Sequence, residues 1–273
     1  MTQQQSAFIT GGASGLGKAI ATWLAAKGIK VFIADRDEAG AKAAAAEIQG
    51  AYSVVDVTSW ESQLAAFQKA VGLFGRIDYV YPIAGIGENS FLPTTTTEEF
   101  QKPNLSIMDV NVSGLLYTVS LAVQQFRRQQ PTVSGIRGKI VVAGSVCGIY
   151  CCPSLPMYTA SKHAVTGLVR SLGKALLSEG VTLNSVNPNV VRTNFSTDKF
   201  YDSLDSEGLL TPMQGCLDAC QRFLDDDQLS GQNFEIGPNY GKGQGLVEPQ
   251  FAPLVDEAQK RVFDKLLARG NAR

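Results

Sequence analysis

Tyr158 and Lys162 stand four residues apart, and Ser145 precedes Tyr158 by thirteen. On a helix, side chains at i and i+4 share one face a turn apart, so this spacing brings a phenol and an ammonium together. A neighbouring cation favours the phenolate and draws the phenol down from an ordinary pKa of about 10. A tyrosine tuned that way serves as a general acid or base. Ser145 ends the apolar run that begins at Ile140 and can bring a hydroxyl to the same spot. His163, the only histidine, is next to Lys162 rather than one turn away, so it points off the Tyr158–Lys162 face.

A proton-transfer pair needs something to react with, and the first 35 residues point to it. A short strand expected over Ser6–Thr10 runs into Thr10-Gly11-Gly12-Ala13-Ser14-Gly15-Leu16-Gly17, and Leu16, Ile20, Trp23, Leu24 and Lys27 then recur at helical spacing. In a strand–turn–helix context, glycines let the backbone approach a pyrophosphate, while the helix N-terminus offers free N–H groups and a favourable dipole. The second strand, Lys30 to Ala34, ends at Asp35, about 20 residues beyond the glycines, where a carboxylate can accept from a ribose diol. A 2′-phosphate would face that carboxylate, so NAD is expected over NADP. The adjacent Arg36 is the residue that could serve a phosphate instead.

The remaining elements alternate. A helix from Glu38 to Gln49 and a strand from Ala51 to Val55 lead to Asp56-Val57. A helix capped by Thr58 or Ser59 follows, with Leu64, Phe67, Val71 and Phe74 on one face. Strands are expected at Tyr79–Ile83, Lys139–Ala143, Thr182–Val186 and residues 233–236, and long helices at about 107–129 and 158–178. Pro82 has no N–H to donate, so the fourth strand must end or become irregular there, before Ala84-Gly85. Thr96 with Glu99 reads as a helix cap. Such alternation implies an α/β fold with a parallel, doubly wound sheet in one domain spanning residues 1–273.

Composition narrows the partners. A net charge of −1 gives no footing for nucleic acid or a membrane surface, and no apolar run approaches the ~20 residues of a membrane span. The N-terminal MTQQQSAFIT has no signal-peptide pattern, so a cytoplasmic protein is expected. Five cysteines and one histidine form neither a disulfide framework nor a zinc pattern; Cys216 and Cys220 read as buried small hydrophobes on one helix face. Asp225–Asp227 reads as a solvated turn and Arg127-Arg128 as an exposed helix end. No metal is expected.

With these pieces placed, the chain from about Ala7 to Gly237 resembles the short-chain dehydrogenase/reductase family. The resemblance rests on TGGASGLG at 10–17, Asp35, Asp56-Val57, Ala84-Gly85, Asn111, Ser145, and Tyr158 with Lys162. It implies a Rossmann-type fold with a seven-stranded parallel sheet, a nicotinamide cofactor, and alcohol–carbonyl interconversion. Carried over by position, Tyr158 would be the acid/base, and Lys162 would lower its pKa and bind the nicotinamide ribose. Ser145 would bond the substrate oxygen, and Asn111 would hold a water linking Lys162 to solvent. Gly11, Gly15 and Gly17 would shape the pyrophosphate turn, Asp35 would bind ribose, Asp56 the adenine, and Thr193 the nicotinamide end. The same resemblance puts Ser14, Leu16, Arg36, Val57, Ala84, Gly85, Pro188 and Val191 on the cofactor surface. Ile83 replaces the family's usual Asn, and Asn189 its usual Gly; neither change removes a reacting group, and Asn tolerates a left-handed backbone.

Substrate inference rests on apolar lining. Residues 195–213 match the family's variable substrate lid, with Phe195, Phe200, Tyr201, Leu204, Leu209 and Leu210. Ile149, Tyr150, Cys151, Cys152 and Leu155 are expected to border the same pocket. These predict a hydrophobic secondary alcohol or its ketone. Asp35 and the LDDDQLSGQ region resemble the NAD-dependent hydroxyprostaglandin-dehydrogenase-like branch and natural-product alcohol dehydrogenases. An NADPH-dependent ketoreductase and a non-catalytic dinucleotide-binding regulator are the alternatives. The extension at about 238–273 includes an amphipathic stretch, Pro253 to Ala268, that could pack on its own domain, cover the pocket or join a subunit interface. The resemblance implies a homodimer or homotetramer.

Overall fold

In the computed structural model, residues 4–88, 91, 100–253 and 255–270 are described, with side chains through 265; the Thr96–Glu99 cap lies outside them. β1 (Ser6–Thr10) is buried along its whole length. Its alternating side chains serve two cores, as a strand covered on both faces requires. Phe8 joins Phe32, Phe67, Val119 and Phe126 on one face of the sheet, whereas Ala7 and Ile9 join Ile20, Leu24, Ile33 and Phe223 on the other.

Six further strands complete an all-parallel sheet: β2 (Lys30–Asp35), β3 (Ala51–Val54), β4 (Tyr79–Pro82), β5 (Gly138–Ala143), β6 (Val181–Pro188) and β7 (Asn233–Ile236), in the order β3-β2-β1-β4-β5-β6-β7. The first core is closed by α3 (Trp60–Phe74), α4 (Ser106–Arg128) and α5 (Pro156–Leu177); the second by α1 (Gly15–Ala26), α2 (Glu38–Glu47) and α7 (Met213–Asp225). Strand order reverses between β1 and β4. In such sheets ligands usually bind outside the carboxyl ends of the strands where the order reverses.

The expected strands and long helices are all present, and the differences have local causes. α2 stops at Glu47 because Gln49 adopts φ 52, which breaks the helix. Ser59, rather than Thr58, caps α3, accepting from the Ser62 N–H at 3.1 Å. β4 ends at Pro82, and its ladder with β5 ends earlier, at Val80–Ile140. One helix has no counterpart in the sequence reading, α6 (Asp198–Ser206), inside the expected lid; α7 beyond it carries Cys216 and Cys220 buried on one helix face, as expected. By length and composition α4 is the one described helix able to cross a membrane. Half of that stretch is nevertheless buried, with Leu115, Val119, Ala122 and Phe126 in the core, so it is a core helix.

The extension packs first on its own domain. Val247 pairs antiparallel with Glu235 on the outer edge of β7, which covers an edge strand, and Tyr240 donates to Asp218 at 2.7 Å. The Arg170 guanidinium lies 3.5 Å from the Phe251 ring centre. α8 (Glu257–Gly270) leaves Val262 and Phe263 exposed. One surface reading changes: Asp227, in its turn, pairs with buried Lys139 at 2.5 Å. Arg127 stays exposed at the end of α4, where it grips Glu179 through two hydrogen bonds of 2.6 and 2.8 Å.

Candidate active site

The glycine turn is built by exclusion of side chains. Gly11 has φ 71, and a Cβ there would lie 2.7 Å from the Ala84 backbone; a Cβ on Gly17 would strike the Gly11 carbonyl oxygen. Gly15, at φ 52, faces Thr193, whose Cβ would be 3.1 Å from an added methyl. α1 therefore begins against both the β4 loop and the β6 loop. Ser14 caps it without a side-chain hydrogen bond, and no acidic residue stands in its first turn. The positive helix end is left open to an anion, which fits a dinucleotide pyrophosphate.

Asp35 locks this turn. One carboxylate oxygen accepts from the Ala13 N–H at 3.0 Å and the other from the Asp37 N–H at 3.1 Å, leaving lone pairs for a ribose diol. Arg36 is exposed beside it. Asp56 is occupied by Thr58, accepting from its N–H at 2.9 Å and its hydroxyl at 2.7 Å. Val57 is buried under α4, so its side chain packs the core. Pro188, Val191 and Thr193 follow one another on the β6 strand end and loop. The Thr193 hydroxyl sits 3.3 Å from that of buried Tyr201 on α6 and accepts from the Phe195 N–H at 3.2 Å.

The four positions expected to be catalytic, Asn111, Ser145, Tyr158 and Lys162, come together at the carboxyl ends of β4 and β5. Ser145 follows β5, and its N–H donates to Asn187 Oδ1 at 3.2 Å. Tyr158 and Lys162 lie on successive turns of α5, with Lys162 Nζ 5.5 Å from the phenol ring centre and donating to the Ala143 carbonyl at 2.8 Å. Asn111 sits in a single π-helical turn, Asp109–Gly114, within α4. Such bulges recur at functional sites. There its side chain clamps Ile86 in both directions, accepting from the N–H at 2.8 Å and donating to the carbonyl at 3.0 Å, and it donates to Ser161 Oγ at 3.1 Å. Gly85 fits between: a Cβ would come within 3.3 Å of Asn111 and 3.8 Å of Lys162.

Electrostatics here correct one expectation. Burial pushes the Tyr158 phenol up to about 12, with hydrogen bonding from Ser145 pulling the other way; the neighbouring cation does not prevail. Burial also draws the Lys162 ammonium down to about 8. Desolvation disfavours both charged forms, and helical spacing alone cannot reveal it. In this state the phenol is kept neutral and holds its proton more tightly than in water; forming a phenolate needs added positive charge.

Other expectations resolve individually. Phe195 leans on Tyr158 with ring centres 5.7 Å apart and would contact a Cβ on Gly87 at 3.2 Å, so the expected lid begins against Tyr158. The Tyr150 hydroxyl is tied to Glu235 at 2.9 Å, on the β7 edge. Asn189 takes no left-handed backbone, since Gln49 is the only described non-glycine residue with positive φ; its Oδ1 accepts from the Val190 N–H at 3.0 Å. Ile83 packs partly buried against the second core. Three supporting residues carried no sequence signal: Asn187 behind Ser145, Ser161 beneath Asn111, and Glu88, whose carboxylate reaches the Tyr158 N–H at 2.7 Å. Among the described residues, no three His, Cys, Asp or Glu side chains gather at one point.

A seven-stranded parallel sheet with a glycine turn on its first strand and this Asn, Ser, Tyr, Lys cluster defines a nicotinamide-dependent oxidoreductase class. The family model for short chain dehydrogenase matches residues 5–203, and the chain belongs to that family. It is 30% identical over 254 residues to short-chain dehydrogenase/reductase ascJ of Acremonium egyptiacum, covering 91% of this chain and 83% of that protein. It is 32% identical to carbonyl reductase family member 4 of Xenopus laevis, covering 72% and 80%. Among solved structures it is similar to a 3-ketoacyl-(acyl-carrier-protein) reductase from Brucella melitensis complexed with NADH, with TM-score 0.73, 26% identity, and 87% and 98% of the two chains covered.

Proposed function

We propose that this protein is an NAD(H)-dependent oxidoreductase that interconverts a hydrophobic secondary alcohol and its ketone, with Tyr158 as general acid/base. The observation that carries the reading is the convergence of the Tyr158 phenol, the Lys162 ammonium, Ser145 and the Asn111 clamp beside a glycine turn with an open helix end. The glycine turn and the α1 N-terminus would hold the pyrophosphate, Asp35 a ribose diol, Asp56 the adenine end, and Lys162 and Thr193 the nicotinamide end. When bound, the cofactor supplies the hydride acceptor or donor. The protein's part is position and charge. In ketone reduction Tyr158 gives its proton to the forming alkoxide while Ser145 donates to the same oxygen. In alcohol oxidation the phenolate takes the hydroxyl proton, with Lys162 the nearest cation to stabilise it. Asn111 holds the β4 loop and, through a water, would link Lys162 to solvent.

NAD is favoured over NADP because a carboxylate, rather than a cation, closes the second-strand end of the glycine turn. Arg36 beside it supports the second reading, an NADPH-dependent ketoreductase. For the substrate, the Phe195 ring against Tyr158 supports an apolar partner. The protein works as a homodimer or homotetramer in this reading, and light scattering that finds only monomer would contradict that. The deciding assay is a panel of hydrophobic secondary alcohols and ketones, run with NAD(H) and NADP(H) in parallel. Turnover with NAD is the expected result; tight NADH binding with no turnover of any member would instead favour a non-catalytic regulator.

A further inference from the structure

α5 begins without a cap of its own. Leu155 at the N-cap position has no side-chain hydrogen bond, and Pro156 has no N–H, so the first backbone donors needing partners belong to Met157 and Tyr158. Both find Glu88, from the loop after β4: Oε2 accepts from Tyr158 at 2.7 Å and Oε1 from Met157 at 3.4 Å. The other side of the Tyr158 backbone is also held. Its carbonyl accepts from Ser161 Oγ at 2.7 Å, Ser161 Oγ accepts from Asn111 at 3.1 Å, and Asn111 clamps Ile86, two residues before Glu88. The contacts close a ring: Glu88, Tyr158, Ser161, Asn111, Ile86 and back along the chain to Glu88.

We infer that Glu88 is a positioning residue that fixes the Tyr158 phenol for proton transfer by closing this ring. The inference rests on Tyr158 being the acid/base. A carboxylate on a helix N-terminus makes a charge-assisted bond and is favoured by the dipole, so it is a stiffer support than a neutral cap. Stiffness matters because a displacement of about 1 Å can cost about 100-fold in rate. The contacts of Glu88 here are to backbone donors, Met157 N–H and Tyr158 N–H, so its part is to hold the helix start.

Glu88→Ala and Glu88→Gln are compared with wild type using the panel alcohol turned over best. Glu88→Ala should lower kcat about 10- to 100-fold while KM and NADH affinity stay within about threefold, at one NADH per folded chain. Glu88→Gln keeps an acceptor for the Tyr158 N–H and should restore kcat to within about fivefold of wild type. A purely structural cap would instead lower NADH-binding stoichiometry and melting temperature in step with rate, with no rescue in kcat per binding-competent chain. Wild-type kcat in Glu88→Ala, or equal losses in Ala and Gln, would overturn the inference. The 13Cζ resonance of Tyr158 gives a readout that needs no turnover: displaced in Glu88→Ala and returned in Glu88→Gln if the ring positions the phenol, unmoved if it does not. Failure of Tyr158→Phe to lose activity would refute the acid/base reading itself, so the two failures are distinguishable.

Discussion

Lys162 holds its ammonium 5.5 Å from the centre of the Tyr158 ring while donating to the Ala143 carbonyl at 2.8 Å. The strand end therefore fixes the cation, and the helix turn fixes its distance from the phenol. Lys162→Met should lower kcat by about 100- to 10,000-fold, the usual range for losing support of a proton-transfer group. Steady-state assays at fixed pH measure this, with NADH fluorescence reporting the smaller loss of cofactor affinity.

The glycine turn makes a steric prediction. A methyl on Gly17 collides with the Gly11 carbonyl, a rigid backbone group, so Gly17→Ala must open the turn. NADH should bind at least about tenfold more weakly, since the α1 N–H groups no longer sit where a pyrophosphate needs them. Isothermal titration would show it, and wild-type affinity would mean the cofactor lies elsewhere.

Asp35 both closes the turn through Ala13 and offers acceptors to a ribose. Asp35→Ala should cut kcat/KM for NAD about tenfold or more and narrow the discrimination against NADP. Parallel titrations with both cofactors decide it; an unchanged NAD/NADP ratio would remove Asp35 from ribose recognition.

Alkaline pH should destabilise the fold. Burial holds Tyr158, Tyr79 and Cys216 at about 12, against ordinary values of 10.0 for the phenols and 9.0 for the thiol. From pH 9 to 12 the unfolded chain releases protons that the folded chain keeps, so stability present below pH 9 is lost as pH rises. Lys162 has the opposite sign. Its folded value of about 8 against an ordinary 10.5 makes the folded chain release first, so its burial penalty is relieved between those values. Melting temperature should fall most steeply above pH 10.5, where Lys162 no longer offsets the loss. In Tyr158→Phe the descent between pH 10 and 12 should be shallower. A calorimetric series across this range measures both.

What the sequence made legible was local chemistry. A glycine turn, an acid at the next strand tip and an i,i+4 phenol–ammonium pair depend on neighbours in sequence, and each stands where spacing places it. What escaped depends on distant partners. Glu88 lies 70 residues from the helix it caps, and the Asn187 support for Ser145 spans 42. The π-helical turn at Asn111 lies inside a stretch that reads simply as one long helix, and burial, which reverses the expected direction for Tyr158, is a property of the folded surroundings. α6 was hidden in a stretch read only as a lid, because it is nine residues long and buries only Tyr201.

The central claim is that the Tyr158 phenol moves the proton while the rest of the site binds and orients. Tyr158→Phe, assayed with the best panel alcohol and NAD alongside NADH titration, tests it with a single-atom change. The account predicts a kcat loss of about 100-fold or more, with NADH affinity within about threefold of wild type. Turnover at the wild-type rate in that variant would contradict it.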